Sequence, residues 1–269
     1  MQRESDIERI HKDGSVMHGG NHIVFCVDRG GLVGDDGPTH HGSFDVSYLL
    51  AVPNITIMVP RDGNELRAML NAAATRELDG PCAIRYPRAS VPDELKPGFE
   101  PIEWGTWEKI YEVGDIALIA AGTMVETARL VREKLKDKIR IALINARFIK
   151  PMDFETLNMC MAQYNNIFTL EENALAGGMG QTIGAYLKEK DYPGNFHAFG
   201  LPDKFVTHGK RDILLTEIGL DADSIAEYIE KVSNIANYTP GKITFRKNAV
   251  EKVYNRNRVA NRRTASGRE

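Results

Sequence analysis

Residues 115–144 read Asp115-Ile-Ala-Leu-Ile-Ala-Ala-Gly-Thr-Met-Val-Glu-Thr-Ala-Arg-Leu-Val-Arg-Glu-Lys-Leu135 and then Lys-Asp-Lys-Ile-Arg-Ile-Ala-Leu-Ile144. A continuously apolar run, Ile116–Ala120, passes through a glycine into an amphipathic stretch, Val125–Leu135, that aligns Ala128, Val131 and Leu135. A second apolar run, Arg140–Ile144, follows within a few residues. Strands that are apolar throughout, not alternating, belong to parallel sheets covered on both faces. A helix between two such strands makes a right-handed crossover unit, so the class is α/β.

The pattern extends in both directions. Toward the C-terminus, Ile167–Leu170 and Phe196–Phe199 read as strands, and Phe154–Gln163, Gly180–Lys188 and Asp223–Ile235 as helices. Toward the N-terminus, Ile23–Val27, Ile55–Val59 and Cys82–Arg85 read as strands, with Asn64–Thr75 placing Leu66, Met69, Leu70 and Ala73 on one helical stripe. Between the two series, Pro87–Gly98 carries three prolines without periodicity and reads as an interdomain linker. The organisation expected is therefore a small N-terminal unit over 1–90, a linker over 91–111, a second α/β domain with a mostly parallel sheet over 112–235, and a tail over 236–269.

Composition narrows the function. With 42% hydrophobic and 26% charged residues the 269-residue chain has the make-up of a soluble globular protein. No apolar run approaches the length of a membrane span, and the polar opening Met1-Gln-Arg-Glu-Ser-Asp6 is no secretory signal, so a cytoplasmic location is expected. Three scattered cysteines, Cys26, Cys82 and Cys160, read as small core side chains in a reducing compartment. The net charge of −3 hides a tail from Asn237 that carries nine Lys/Arg against two Asp/Glu. Only Tyr238, Phe245 and Tyr254 accompany those charges, too few aromatics for a nucleic-acid surface, so the tail reads as solvated and no nucleic-acid partner is expected.

Chemistry concentrates at strand ends. Asp28-Arg-Gly-Gly-Leu-Val-Gly-Asp-Asp-Gly-Pro-Thr-His-His-Gly42 follows the first strand and holds an arginine, acids and two histidines among five glycines. Its length exceeds an ordinary βα connection, which marks it as a site. Arg29 offers a planar fork for carboxylate or phosphate, while His40 and His41 titrate near neutrality. Asp35, Asp36, His40 and His41 supply metal-ligand chemistry without fixing a coordination shell, so no metal site is assigned. A second strand end, Cys82–Arg88, carries Arg85 and Arg88. Ligands of open α/β sheets bind beyond such ends, so Arg29 and Arg88 are expected to converge on one anion. Arg85, inside the strand, reads as paired with a carboxylate at the domain interface. A third strand end, Leu170-Glu-Glu-Asn-Ala-Leu-Ala-Gly-Gly-Met-Gly180, lacks a phosphate-loop pattern, and its glycines read as close strand–helix packing. His197 and His208 read as surface residues.

These stretches carry a resemblance. Asp28–Gly42, Phe44-Asp-Val-Ser-Tyr-Leu49, Asp79-Gly-Pro81 with Ile84-Arg-Tyr-Pro-Arg88, Glu171-Glu-Asn-Ala174 with Gly177-Gly-Met-Gly180, and Gly200-Leu-Pro-Asp203 with Gly219-Leu-Asp221 run in order as in the 1-deoxy-D-xylulose-5-phosphate synthase family. That family is transketolase-like and depends on thiamine diphosphate and magnesium. The resemblance implies a pyrimidine-binding domain, present only in part over 1–90, and a transketolase C-terminal domain. It implies that Arg29 and Arg88 bind the phosphate of glyceraldehyde 3-phosphate, and that Asp36 and His40 face the centre where pyruvate-derived carbon is joined to the aldehyde. Met1-Gln-Arg3 with Asp6 is similar to a family segment ending in Gln-Arg-x-x-Asp, which carries a cofactor-binding role onto Arg3; Ser5 stands where a tyrosine is usual. The family's Gly-Asp-Gly…Asn magnesium motif and its cofactor-activating glutamate have no counterpart, so the chain alone is expected not to turn over. A homodimer is implied, with no membrane partner. Two other readings remain: the C-terminal subunit of a split transketolase-like enzyme, and a non-catalytic assembly module.

Overall fold

In the computed structural model of the chain, the described residues are 23–75, 80–90, 98, 100–233 and 243–245. The short β-branched runs form two sheets. The first contains β1 (Val24–Val27), β2 (Thr56–Met58), β3 (Cys82–Arg85) and β7 (Phe148–Lys150), in the order β1-β3-β2-β7. β3 pairs in parallel with both β1 and β2, whereas β7 runs antiparallel to β2. The second contains β4 (Glu108–Tyr111), β5 (Ile116–Ala120), β6 (Ile141–Asn145), β8 (Asn166–Ala174), β9 (Asn195–Leu201) and β10 (Ile243–Phe245), in the order β10-β9-β8-β5-β6-β4. All its pairings are parallel except that of β4 with β6. The helices are α1 (Asp45–Leu50), α2 (Gly63–Thr75), α3 (Met124–Leu135), α4 (Phe154–Gln163), α5 (Met179–Glu189), α6 (Arg211–Ile218) and α7 (Ala222–Ser233).

Strand periodicity divides the second sheet's side chains between two cores. Ile116, Leu118, Leu143, Phe168 and Phe199 face α3 and α7, whose Val131 and Ile229 are fully buried. Ala117, Ile119, Ile144, Ile167 and Phe196 face the other way, into a cluster that also contains Ile57, Met58 and Ile84 of the first sheet. One apolar core is thus shared by both sheets, and it includes Trp107 and Phe148. Burial of such side chains contributes about 1.5–3 kcal/mol each.

Several expectations are corrected. The segment 91–111 is not linker throughout, because Glu108–Tyr111 pairs with β6 and Trp107 is buried, its indole N–H donating to Phe148 O at 2.7 Å. β7, α1 and α6 went unanticipated; three to eight residues are too short for periodicity to register. In the tail, which reads as unstructured, Ile243–Phe245 pairs with β9 and extends the second sheet. β1 is an edge of the first described sheet and only half-buried, which leaves Cys26 exposed while Cys82 and Cys160 are buried. His197 is not a surface residue: it lies on β9, stacked on Phe168 with ring centroids 4.9 Å apart, and hydrogen-bonds the Tyr228 hydroxyl at 3.1 Å. Arg3 lies outside the described residues. No helix among them is long and apolar enough to cross a membrane.

Candidate functional site

The glycine-rich loop closes on itself just beyond β1. Gly30 N–H donates to Tyr86 O at 2.9 Å, Gly31 N–H to Gly42 O at 2.9 Å, and Gly42 N–H to Arg29 O at 3.0 Å. These bonds pinch the loop at its neck, so its tip is held although it contains little regular structure: a 3-10 turn, Gly34–Asp36. Arg29 adopts the left-handed conformation at φ 59°. That costs a residue with a side chain about 1–2 kcal/mol and is sustained where surrounding bonds over-determine it.

The neck brings the expected residues together. Arg88, at the end of the segment after β3, pairs with the Asp36 carboxylate, and Arg29 Nε lies 3.7 Å from the same Asp36 oxygen. Arg29 Nε is buried and makes no hydrogen bond, while its terminal nitrogen pairs with Asp28. The Arg88 hydrogen bond holds the Asp36 carboxyl below the usual carboxylate range; burial opposes it, and the charges of Arg88, Arg29 and His40 add to the lowering. His40 is exposed and its Nδ1 lies 3.0 Å from Thr39 Oγ1. His41 is committed differently: its Nδ1 accepts from Val33 N–H at 3.1 Å, so Nε2 carries the proton toward Thr207 O at 3.3 Å. Among the described residues no group of three or more His, Cys, Asp or Glu side chains is placed to hold a metal ion.

Arg85 fulfils its structural reading. It is 8% exposed, its Nε contacts Asp45 at 3.0–3.1 Å, and its Nη2 donates to Gly42 O at 2.7 Å and Glu172 O at 2.9 Å. The Gly-rich turn after β8 also packs closely, since a Cβ on Gly180 would meet Thr169 Oγ1 at 2.8 Å and Ala198 Cβ at 2.9 Å. What the sequence did not disclose is the work of Glu171-Glu172-Asn173. Glu171 accepts the amides of Met179 and Gly180 at 2.9 and 2.7 Å, so the first turn of α5 is occupied by the protein's own carboxylate. Glu172 reaches across to the loop, and Asn173 Nδ2 donates to Ser47 Oγ at 2.9 Å. Paired acids next to a glycine turn were the available signal; they read only as part of a strand end because no periodicity links them to residues far back in the chain. A cleft of about 350 Å³ opens beside the same strand ends, lined by Pro60, Arg61, Leu66, Tyr86, Pro87 and Thr123, and none of Arg29, Asp36, His40 or Arg88 lines it.

Comparison with known proteins agrees with this architecture. Residues 10–94 match the transketolase pyrimidine binding domain and residues 105–225 the transketolase C-terminal domain. The chain is 44% identical over 209 residues to a 1-deoxy-D-xylulose-5-phosphate synthase of Chlorobium phaeovibrioides, covering 77% of this chain and 33% of that protein. It is 41% identical over 208 residues to the synthase of Aquifex aeolicus, again over 77% and 33%. The chain therefore spans about a third of the length of the curated relatives it matches. Among solved structures it is similar to a split gene transketolase described as an inactive beta4 tetramer, with a TM-score of 0.71 at 25% identity, covering 85% of this chain and 72% of that one. A transketolase mutant from Pichia stipitis shares the fold with a TM-score of 0.62 at 19% identity, over 81% and 31%. The chain belongs to the transketolase family of thiamine-diphosphate-dependent transferases, with pyrimidine-binding and C-terminal domains similar to those of the 1-deoxy-D-xylulose-5-phosphate synthases.

Proposed function

We propose that this chain supplies the acceptor-binding wall of a 1-deoxy-D-xylulose-5-phosphate synthase, in which pyruvate is condensed with glyceraldehyde 3-phosphate and carbon dioxide leaves. The observation that carries the reading is the convergence of Arg29 and Arg88, from two different strand ends, on one carboxylate. Asp36 occupies the space between two guanidinium groups that a phosphate would take. A phosphate dianion offers more charge and more acceptors than a carboxylate, so it displaces Asp36 from Arg88. The freed carboxylate then stands beside His40, at the aldehyde end of the bound substrate. His40, which is exposed, donates a proton to the oxygen that becomes a hydroxyl as the new carbon–carbon bond forms.

Thiamine diphosphate, when bound, supplies the electron sink for decarboxylation. The described residues do not fit the magnesium of that cofactor, for among them no group of three or more His, Cys, Asp or Glu side chains is placed to hold a metal ion. Arg3, the cofactor position implied by the resemblance, lies outside the described residues. The proposed setting is cytoplasmic synthesis of isoprenoid, thiamine and pyridoxal precursors by a homodimer.

The test is calorimetric. Glyceraldehyde 3-phosphate should bind the chain and glyceraldehyde should not, and Arg29→Ala and Arg88→Ala should each weaken binding by roughly 10- to 100-fold, the worth of one charge-assisted contact. Equal binding of the two aldehydes, or indifference to both substitutions, would sink the assignment. A second reading, the C-terminal subunit of a two-chain enzyme, is favoured by the 72% coverage of the split gene transketolase chain. Turnover on mixing with a separately encoded chain that carries the magnesium motif would select it.

A further inference from the structure

The four residues of the proposed acceptor site lie in segments that follow strands of the first sheet, yet the loop that carries three of them contacts the second. Glu172 on β8 is 3% exposed and lies against the neck of the loop. Its Oε1 accepts from Leu32 N–H at 2.8 Å and from Arg211 Nε at 3.2 Å; its Oε2 accepts from Thr123 Oγ1 at 3.2 Å and pairs with Arg211 Nη2. Burial works against the Arg211 charge, and Glu172 more than offsets it, leaving the guanidinium above its ordinary pKa. The fit on the loop side is close: a Cβ on Gly31, at φ 86°, would meet Glu172 Cδ at 2.6 Å. The segment before α6 completes the clamp. Gly209 N–H donates to Gly34 O at 3.4 Å, and Thr207 O receives His41.

We propose that Glu172, with Arg211 as its counter-ion, is a positioning residue that sets the register of residues 29–42 and thereby the placement of Arg29, Asp36 and His40. This inference rests on the reading of that loop as the acceptor site. The carboxylate suits the task because each of its partners can donate: one backbone amide, one hydroxyl and one guanidinium. A glutamine in its place must turn an NH2 toward at least one donor, whichever way it flips. The loop then loses either its Leu32 bond or the Arg211 fork that orients the acceptor. Because Glu172 touches no residue proposed to meet substrate, its effect travels through Leu32 and the neck of the loop.

The experiment uses the full chain, with amide hydrogen exchange and inorganic phosphate binding read side by side. In Glu172→Gln the amides of residues 30–42 should exchange at least about 10-fold faster, while those of β5, β6 and β8 keep their protection. Phosphate affinity should fall by roughly 10-fold in the wild-type background and show no further fall when Glu172→Gln is added to Arg29→Ala, since the first acts through the second. Gly31→Ala, which intrudes from the loop side and leaves the buried carboxylate in place, should reproduce the local exchange; it decides the matter if Glu172→Gln does not fold. Unchanged exchange over 30–42, or faster exchange spread evenly over both sheets with a lowered melting temperature, would overturn the proposal. If wild type and Arg29→Ala bind phosphate equally weakly while the local exchange behaves as stated, the acceptor reading falls and the positioning of the loop by Glu172 stands.

Discussion

Glu171 is enclosed beneath the first turn of α5, where burial pushes its carboxyl up to about 7 despite two backbone amides and the nearby Arg85 charge. A folded pKa above the unfolded one means that the native state holds the proton more tightly. Its contribution to stability is then complete below the unfolded value, near 4.5, and is lost as pH rises through about 7. Denaturant titrations at pH 5 and pH 8 should show wild type losing stability with rising pH relative to Glu171→Gln, by an amount on the order of 3 kcal/mol. A flat difference between the two proteins over that interval would place the carboxylate in its charged form throughout. At this scale the sequence identified Arg29, Asp36, His40 and Arg88 as residues that share one loop and one neighbouring strand end. Residue type alone did not separate His40 from His41, a choice that came from the resemblance; in the structure the Val33 amide and the Thr207 carbonyl tie down the His41 ring.

Among the elements, α4 shows how one side chain serves two structures. Asp153 precedes the helix and accepts Thr156 N–H at 2.9 Å, which caps the first turn. Its other oxygen accepts Trp107 N–H at 2.8 Å and Thr156 Oγ1 at 2.8 Å. The helix cap therefore also anchors the approach to β4, where Trp107 joins the shared core. Asp153→Ala should cost about 1–3 kcal/mol of unfolding free energy, one cap plus an orphaned buried amide, measurable by urea denaturation. Asp153→Asn, which keeps an acceptor for Thr156, should recover part of that loss. Phe154–Gln163 was legible to the residue because its cap, its apolar stripe and its termination are all local. β7 was not legible, because three residues between β6 and α4 become a strand only when β2 lies beside them.

Across the whole molecule, Arg85 is the tie between the sheets. It spans Asp45 of α1, the loop neck at Gly42 and the Glu172 carbonyl of β8, so both halves of the chain meet in one guanidinium. Replacing it by methionine leaves Asp45 buried without its partner, a loss of about 3–5 kcal/mol. Wild type should unfold in a single transition, because its core is continuous across both sheets. Arg85→Met should separate that transition in calorimetry, with the first sheet melting before the second; one unbroken, unshifted transition would refute the tie. The amino-acid sequence alone determined the α/β class, the parallel strands and the family, since apolar runs, helical stripes and strand-end motifs are local patterns that survive without tertiary context. Only the tertiary structure decided that β7 crosses to the first sheet, that Arg29 and Arg88 meet on Asp36, and that Glu172 lies against the loop. Those outcomes depend on groups far apart in the chain becoming neighbours, where burial makes each unpaired polar atom costly and so selects the partner.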